Sequence, residues 1–334
     1  MNARSLLSLL FHGKKALDLV EAAHTLGIFA RLDRGPCTLG ELVRANEAVP
    51  LRMYKLMDGL ESLGLVVRTE TLDDILEAVY HAQEPLVPAV EAVLGERSIE
   101  RDRDTYPWQQ MTGHQADIVR GKATPTGFDW PPKTPEQIAS FEESMARGTP
   151  PIVEALGARA NELFAGERVR WLDVGGGDGI VAEAMCQGRS GLRADVFNLP
   201  AVEPLVRARS EKARLDGRLG FRGGDFLNEA LPSGYDVMSF VRVLHDWPAD
   251  VSRMLIEKAY AALPSGGKIV VCEEFRTADR LAVQFFWTYF LVGFDPCVSR
   301  LRERSWYEEA LTRAGFRDVA AHDGAFEVVV AKKP

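Results

Sequence analysis

The feature that most constrains the fold is the segment WLDVGGGDGI at residues 171–180, where four glycines and two aspartates follow a short apolar run. Glycine permits tight turns and lets a ligand approach main-chain atoms, so the segment predicts a strand, a ligand-binding loop and the start of a helix. From residue 166 onwards, strand-like runs alternate with helical ones. The strand-like runs are VRWLDV, RADVF, LGFRGG, YDVMSFV, KIVVC and AFEVVVAKK, and helices are predicted near 180–188, 201–213, 249–263, 279–292 and 304–315. This alternation predicts an α/β domain with a mainly parallel sheet covered on both faces, and a ligand at the carboxyl ends of its strands.

The composition of the glycine loop indicates which ligand it binds. A dinucleotide-binding loop has the pattern GxGxxG, whereas Gly175 and Gly177 are followed here by Ile180 at the third position. Asp173 and Asp178 also place carboxylates where a pyrophosphate would be repelled. S-adenosylmethionine carries a sulfonium and an amino group and has no phosphate. A cationic ligand of this kind therefore suits the loop better than a dinucleotide does.

The first part of the chain follows a different pattern, because apolar residues recur at helical spacing between residues 15 and 65. Thr38 followed by Glu41 is a capping-box pattern, Pro50 marks another helix start, and GLVVRTE is rich in strand-forming residues. Helix, short helix, helix and strand in this order predict a winged helix. Its candidate recognition helix, LRMYKLMDGLESLG, balances basic with acidic residues and is apolar along one face. We interpret it as a protein-packing element rather than a DNA reader.

Charge and apolar content exclude several classes of protein. The chain has 40 Lys and Arg against 48 Asp and Glu, a net charge of −8 that disfavours a nucleic-acid partner. No apolar run approaches the roughly 20 residues of a membrane span. Residues 6–11 are too short for a secretory signal and lack a cleavage site, so we interpret them as a helix that packs against the body of the protein or a partner. The cysteines lie far apart without metal-ligand spacing, which predicts buried thiols in a cytoplasmic protein and no metal site. They are Cys37, Cys186, Cys272 and Cys297.

Five motifs together resemble one enzyme family. They are LDVGGGDG in the loop, GGDF at 223–226, LHDWP at 244–248, ALPSGGKIVVCEE at 262–274 and RERSWYEEALTRAGF at 302–316. With these motifs the chain resembles the caffeate-type small-molecule O-methyltransferases, which use S-adenosylmethionine and form homodimers. The segments FNLPAVEPLV and 286–304 look closer to the bacteriochlorophyllide C-20 methyltransferases, which methylate carbon and look to lack the His of LHDW.

The resemblance covers nearly the whole chain and implies its domain organisation. It places a winged-helix dimerisation domain at 1–100, mainly α-helical, and a helical linker that contributes to the substrate pocket at 101–165. A Rossmann-like class I methyltransferase domain with a mainly parallel seven-stranded sheet follows at 166–334.

The resemblance also assigns residues to the cofactor. They are Asp173, Gly175, Gly177, Asn198, Leu199, Asp225, Phe226 and Arg242. Asp225 and Phe226 match the pair that contacts adenine in the family. Asn198 follows the second strand, where an acid usually binds the ribose hydroxyls, so the amide loses a charge-assisted hydrogen bond worth on the order of 1 kcal/mol. A turn-forming role before Pro200 is the alternative interpretation of Asn198.

For catalysis, the resemblance implies that His245 is the general base, with Glu273 and Glu303 orienting its ring and stabilising the imidazolium form. His245 follows the strand-like run YDVMSFV, at the rim where the ligands should meet. The structural alternative is that LHDWP caps the helix beginning near Ala249. For Glu303 the alternative is a solvated surface charge, because the loop before it lacks the Gly-Gly pair of the family.

The substrate-binding candidates come from four segments. They are Trp130, Met145, Asp246, Phe286 and Phe290, with Trp287 and Phe294 as further aromatic residues. Met145 matches a substrate-contacting Met of the family, and we expect Asp246 to face the cofactor or a neighbouring helix. We predict methyl transfer to a phenolic hydroxyl of a small aromatic natural-product intermediate. Methylation of an activated aromatic or enolate carbon remains open, and a ligand-binding winged-helix regulator is the non-enzymatic alternative.

Overall fold

The structure is a computed structural model that describes residues 3–69, 75–96, 117, 134–215, 217–276, 301–324 and 326–334. The chain divides into two compact units, Met1–Tyr106 and Pro107–Pro334.

The first unit is mainly helical and contains a small antiparallel sheet. Its helices are α1 (Ala3–Phe11), α2 (Gly13–Thr25), α3 (Ile28–Leu32), α4 (Leu39–Ala45), α5 (Pro50–Ser62) and α6 (Leu86–Leu94). Its strands are β1 (Cys37–Thr38), β2 (Val66–Arg68) and β3 (Val79–Ala82), in the spatial order β1-β3-β2. A helical body followed by the antiparallel pair β2 and β3 matches the predicted winged helix.

Local sequence determines where two of these helices begin. The Thr38 side chain accepts a hydrogen bond from the Glu41 N–H, and the Glu41 carboxylate accepts one from the Thr38 N–H. Helix α5 begins at Pro50, whose fixed φ suits the first helical turn. Both predicted starts are confirmed.

Helix α1 differs from the other helices of the first unit in its exposure. Helices α2–α6 and the three strands contribute residues to one buried apolar cluster. In contrast, Leu7, Leu10 and Phe11 of α1 are 66%, 63% and 83% exposed. The expectation that this segment packs against the body of the protein is therefore wrong for these three side chains, and packing against a partner stays a prediction.

The second unit is built on a seven-stranded sheet. Its strands are β4 (Val169–Val174), β5 (Leu192–Asn198), β6 (Leu219–Gly223), β7 (Val237–Val241), β8 (Lys268–Glu273), β9 (Arg317–His322) and β10 (Glu327–Lys332). Their spatial order is β6-β5-β4-β7-β8-β10-β9, and β10 is antiparallel to both of its neighbours while the other adjacent pairs are parallel. The predicted mainly parallel sheet is confirmed. Strand order reverses between β4 and β7, which is where sheets of this kind bind ligands.

Helices cover both faces of this sheet. They are α7 (Pro135–Arg147), α8 (Pro150–Ala158), α9 (Ala160–Leu163), α10 (Ile180–Gly188), α11 (Glu203–Lys212), α12 (Ala249–Ala262) and α13 (Arg304–Ala314). Successive side chains of β4 lie in different buried clusters. Trp171 shares one cluster with residues of α8 and α10, and Leu172 shares the other with residues of α12 and α13. The helix predicted at 279–292 lies outside the described residues. None of the helices that the structure describes has the length and apolar character needed to cross a membrane.

Strand β9 does not correspond to any of the six predicted strand-like runs. Its sequence, RDVAAH, has few large apolar residues, and its side chains are exposed or only partly buried at the edge of the sheet. Antiparallel pairing with β10, for example Val329 opposite Ala321, holds it in place. The strand depends on its neighbour rather than on its own pattern, so the sequence pattern missed it.

Candidate active site

The glycine loop connects β4 to α10 at the point where strand order reverses. Gly175 has a φ of +73°, and a Cβ at this position would lie 2.8 Å from the Val243 side chain. Gly177 also has a positive φ, of +54°. A larger residue at Gly175 would be strained and would collide with Val243, so the loop requires glycine there. The predicted sequence of strand, loop and helix is confirmed.

Asp173, two residues before the loop, has a buried carboxylate. Its Oδ1 accepts a hydrogen bond from the Ser239 hydroxyl at 2.6 Å. Within the described part of the chain, its Oδ2 is buried without a hydrogen-bond partner. Burial raises the pKa of Asp173 to about 6, although the Ser239 hydrogen bond acts in the opposite direction. An incompletely satisfied buried carboxylate is suited to receive a cationic or hydrogen-bond-donating group.

Asp178, the other aspartate of this segment, is neutralised by the protein itself. Its carboxylate forms an ion pair with Arg209 of α11, and its Oδ1 accepts a hydrogen bond from the Ile180 N–H at 3.1 Å. Asp178 therefore fixes the start of α10, and Asp173 is the aspartate that keeps an unpartnered oxygen.

Glu142 is a neighbour of the loop that the sequence pattern did not indicate. It lies on α7 and is 8% exposed, and its Oε2 accepts a hydrogen bond from the Asp178 N–H at 3.0 Å. A Cβ on Gly177 would be 2.5 Å from the same oxygen. The available signal was its position three residues before Met145, which places both side chains on one face of a helix.

The other residues assigned to the cofactor end the neighbouring strands. Asn198 Oδ1 accepts a hydrogen bond from the Leu199 N–H at 2.8 Å, a local turn contact. Asp225 Oδ1 accepts one from the Leu227 N–H at 2.9 Å. Phe226 packs edge-to-face on Trp247, with 5.7 Å between the ring centroids. These contacts hold the side chains near the carboxyl ends of β5 and β6, and the assigned cofactor contacts stay predictions.

Arg242, directly after β7, connects that strand to α7. Its Nη2 donates to the Met145 carbonyl oxygen at 2.7 Å, and its own backbone has a φ of +54°. A non-glycine residue adopts this conformation at some cost, which indicates a position fixed by its surroundings. Arg242 lines the same small cavity as Glu142, Met145 and Asp173.

His245 lies between two carboxylates. Its Nδ1 is 2.9 Å from Glu273 Oε2, and its Nε2 is 3.2 Å from Asp246 Oδ1. The ring of His245 and the Glu273 side chain are buried, whereas the Asp246 side chain is 36% exposed. Burial by itself lowers the pKa of His245, but the charges of Asp246 and Glu273 outweigh burial and raise this pKa to about 10. This arrangement favours the protonated imidazole at neutral pH.

The Glu273 carboxylate is held by the backbone. Its Oε1 receives N–H groups of three consecutive residues, 243 to 245, at 2.7 to 3.3 Å. Its Oε2 accepts the Tyr307 hydroxyl at 2.9 Å in addition to the His245 contact. This anchoring fixes the His245 ring through Nδ1. Tyr307 was missed because its motif contains no feature that distinguishes a hydroxyl donor from a core aromatic residue.

Glu303, which was predicted to orient the catalytic histidine, forms an ion pair with Arg276 at 2.8 Å, and its side chain is 55% exposed. The carboxylates at the two ring nitrogens of His245 are those of Glu273 and Asp246. The substrate candidates Trp130, Phe286 and Phe290, with Trp287 and Phe294, lie outside the described residues, as does Cys297. The other three cysteines are buried and free.

Comparison with known proteins identifies the family. A model of the O-methyltransferase domain matches residues 126–317, more than half of the chain. The chain belongs to that family. The N,N-dimethyltransferase OxyT of Streptomyces rimosus is 31% identical to this methyltransferase over 280 residues, which cover 80% of this chain and 77% of OxyT. Bacteriochlorophyllide d C-20 methyltransferase of Chlorobaculum tepidum is 24% identical over 93% of this chain and 91% of its own length.

A solved structure extends the likeness to the whole methyltransferase. The S-adenosylmethionine-dependent methyltransferase SibL, in its apo form, is 25% identical with a TM-score of 0.63 over 99% of both chains. The chain is an S-adenosylmethionine-dependent methyltransferase, as its motifs predict.

The residues of the methyltransferase fit this cofactor. The loop accepts close approach at its glycines, and the unpartnered Asp173 oxygen suits a cationic amino acid group. A pyrophosphate would face the carboxylates of Asp173 and Glu142 instead. Within the ranges that the structure describes, His, Cys, Asp and Glu side chains form no group of three or more that could hold a metal ion.

Proposed function

We propose that the enzyme methylates a phenolic hydroxyl of a small aromatic natural-product intermediate, with His245 as general base. The observation that carries this proposal is the buried contact between His245 Nδ1 and Glu273, which leaves Nε2 directed toward a partially exposed carboxylate. The family of O-methyltransferase domains supports oxygen as the acceptor.

Cofactor and acceptor are held by different parts of the proposed site. S-adenosylmethionine supplies a methyl group that is already activated on sulfur. The protein aligns the acceptor with this methyl group. Such positioning of two reactants can lower the activation free energy by several kcal/mol, within the roughly 7–11 kcal/mol available from proximity. We assign cofactor binding to the glycine loop, Asp173, Arg242 and the ends of β5 and β6. Acceptor binding is assigned to Met145 and the aromatic residues predicted from the sequence.

Proton removal requires a change at Asp246. The charges of Asp246 and Glu273 raise the pKa of His245 well above neutrality, so the protonated ring is favoured at pH 7. We propose that the acceptor hydroxyl takes the place of Asp246 at Nε2. Losing that carboxylate would lower the pKa of His245, so that the ring releases its Nε2 proton to solvent. The neutral ring could then accept the phenolic proton, while the cofactor, when bound, would supply the methyl group from sulfur to oxygen and leave as S-adenosylhomocysteine. Glu273 stays on Nδ1 and stabilises the imidazolium that results.

The test is product analysis with a phenol panel and S-adenosylmethionine carrying a ¹³C-labelled methyl group. Each phenol is paired with its methyl ether, which lacks the acidic proton. We expect the label on oxygen of the phenol, identified by the carbon chemical shift, and no product from the ether. Turnover of the ethers, or label on carbon with every substrate, contradicts O-methylation.

Carbon methylation is the second candidate, and the likeness to a C-20 methyltransferase over most of both chains is the observation that favours it. The same base would produce a phenolate or enolate whose carbon attacks the methyl group. The labelled product distinguishes the two reactions, because the attachment atom determines the methyl shift.

We also propose that the protein is a cytoplasmic homodimer with the domain boundaries that the resemblance implies. The free thiols of Cys37, Cys186 and Cys272 support a reducing compartment. The exposed apolar side chains of α1 support a second copy of the chain as the partner of this helix.

A further inference from the structure

One carboxylate beside the glycine loop has no role in the proposed reaction. Glu142 on α7 lines a cavity of about 40 Å³ together with Asp173, Arg242 and Met145. We infer that Glu142 and Asp173 together bind the α-ammonium group of the cofactor's amino acid moiety, and that Arg242 faces the neighbouring carboxylate. This inference rests on the proposed cofactor site.

The cavity has the size of a small polar group. A site for one water molecule needs roughly 10–15 Å³ of space for its centre, so a cavity of about 40 Å³ admits an ammonium group but not an aromatic ring. Acidic residues and an arginine line it together. This combination is complementary to the zwitterionic end of an amino acid, in which a positive and a negative group are adjacent.

Among the residues that the structure describes, acidic groups outnumber basic ones around Glu142. The carboxylates are those of Glu142, Asp173 and Asp178, and the cations are Arg209 and Arg242. Arg209 is already paired with both Asp178 and Glu183. Among the described residues, Arg242 is then the other cation that acts on Glu142, while Asp173 keeps an unpartnered buried oxygen, and an unpaired buried charge is costly. A bound ammonium would supply the missing positive charge.

The pKa of Glu142 reflects its burial and the same excess of acidic groups. Burial raises the pKa of Glu142 to about 7, and the charge of Asp178 acts in the same direction. An ammonium bound beside the carboxylate would lower this pKa again. Binding near pH 7 should then release a proton from Glu142, so the affinity for the ligand falls as pH decreases through 7. Asp173, whose pKa burial raises to about 6, adds a second decrease below pH 6.

The test compares two ligands by calorimetry. S-adenosylhomocysteine has the amino acid moiety, and 5′-methylthioadenosine shares its adenosine and thioether but lacks the ammonium and carboxylate. We expect Glu142→Gln to weaken S-adenosylhomocysteine roughly 10- to 100-fold, the range of a hydrogen bond to a charged group. Affinity for 5′-methylthioadenosine should stay unchanged, which also shows that the variant is folded.

Glu143→Gln is the matched control, because Glu143 is the next residue on α7 and its side chain is 73% exposed in an ion pair with Arg147. It should leave both affinities unchanged. Equal weakening of both ligands by Glu142→Gln overturns the inference, since Glu142 would then only support the loop. Failure of the wild-type protein to bind S-adenosylhomocysteine at all would instead contradict the proposed cofactor site.

A measurement on the wild-type protein makes the test independent of any variant. Between pH 8 and 6.5, affinity for S-adenosylhomocysteine should fall and the binding enthalpy should depend on the ionisation enthalpy of the buffer. Affinity for 5′-methylthioadenosine should not change over this range. An S-adenosylhomocysteine affinity that is constant between pH 8 and 6.5, without proton release, overturns the inference.

Discussion

Among single residues, His245 connects the sequence motif to the proposed chemistry most directly. A histidine with carboxylates at both ring nitrogens is a poor base as long as both contacts persist. The two acids differ in anchoring, because Glu273 is held by three backbone N–H groups and Tyr307 whereas Asp246 is partly exposed. We therefore propose that Glu273 stays on the ring during the reaction and that the acceptor replaces Asp246.

The first prediction concerns His245→Ala. We expect turnover on a phenol to fall ~10²–10⁴-fold, the usual contribution of a general base, while the affinity for S-adenosylhomocysteine measured by calorimetry stays within about twofold. Raising the pH should restore part of the activity, because bulk base supplies phenolate. His322→Ala on β9 removes a histidine that pairs with Glu162 instead, and it should keep full activity. Wild-type turnover by His245→Ala would assign His245 a structural role only.

The second prediction concerns pH and Asp246. The two carboxylates raise the pKa of His245 to about 10 in the free enzyme, and kcat/KM reports the ionisation of the free enzyme. Because the base is active when deprotonated, kcat/KM should rise with pH up to about 10. Asp246→Asn removes one of the two raising charges, so its profile should rise at lower pH with the same phenol. Ionisation of the phenol is identical in both experiments, so coincident profiles would contradict the contact between Asp246 and Nε2.

At the scale of secondary structure, two helices begin with the same capping motif. Thr38 with Glu41 forms a capping box at α4, and Thr134 with Gln137 forms one at α7. Helix α7 also carries Glu142, so its first turn precedes a residue of the proposed cofactor site. The two residues of each box are close neighbours in the chain, which is why the amino-acid sequence alone predicts the box at α4.

The third prediction concerns these caps. Thr38→Ala and Thr134→Ala should each destabilise the first turn of the helix by about 1 kcal/mol, because one backbone N–H loses its acceptor. Hydrogen exchange followed by mass spectrometry should show amides of α4 or α7 exchanging roughly five times faster in the corresponding variant. The Thr→Ser variants keep the hydroxyl and should exchange at wild-type rates. Equal exchange in the Ala and Ser variants would show that the cap contributes nothing.

At the scale of the whole molecule, the exposed side chains of α1 support assembly. A chain that exposes several leucines and a phenylalanine on one short helix carries an association surface or an aggregation hazard. The helix has no basic residue in its last turn and no acidic residue in its first. Apart from Arg4 and two serines, its side chains are apolar, so apolar contact is the main interaction that it offers.

The fourth prediction concerns the homodimer. Deleting residues 1–12, or introducing Leu7→Glu with Phe11→Glu, should shift the protein toward monomer in analytical ultracentrifugation at micromolar concentration. The control is Val49→Glu, which introduces a negative charge in the first unit but outside α1. The Val49 side chain is 53% exposed, which is similar to the exposure of the substituted α1 residues. A wild-type protein that sediments as a monomer at this concentration would contradict the dimer.

The sequence by itself determined the features that depend on neighbouring residues. The alternation of apolar runs predicted the mainly parallel sheet, the glycines predicted the loop after β4, and the capping box predicted the start of α4. The motifs also identified the family and the cofactor. These features follow from backbone geometry and side-chain spacing over a few residues, which a sequence records directly.

Tertiary structure decided the contacts between distant residues. It placed Glu142 on the Asp178 N–H across 36 positions and the Tyr307 hydroxyl on Glu273 across 34. It also paired Asp178 with Arg209, and it made a strand of RDVAAH by pairing it with β10. Partners of this kind are chosen by packing in three dimensions and by the desolvation of charges. A carboxylate at one position can therefore be a solvated charge, an ion-pair partner or a ligand, and only its surroundings in the fold decide which.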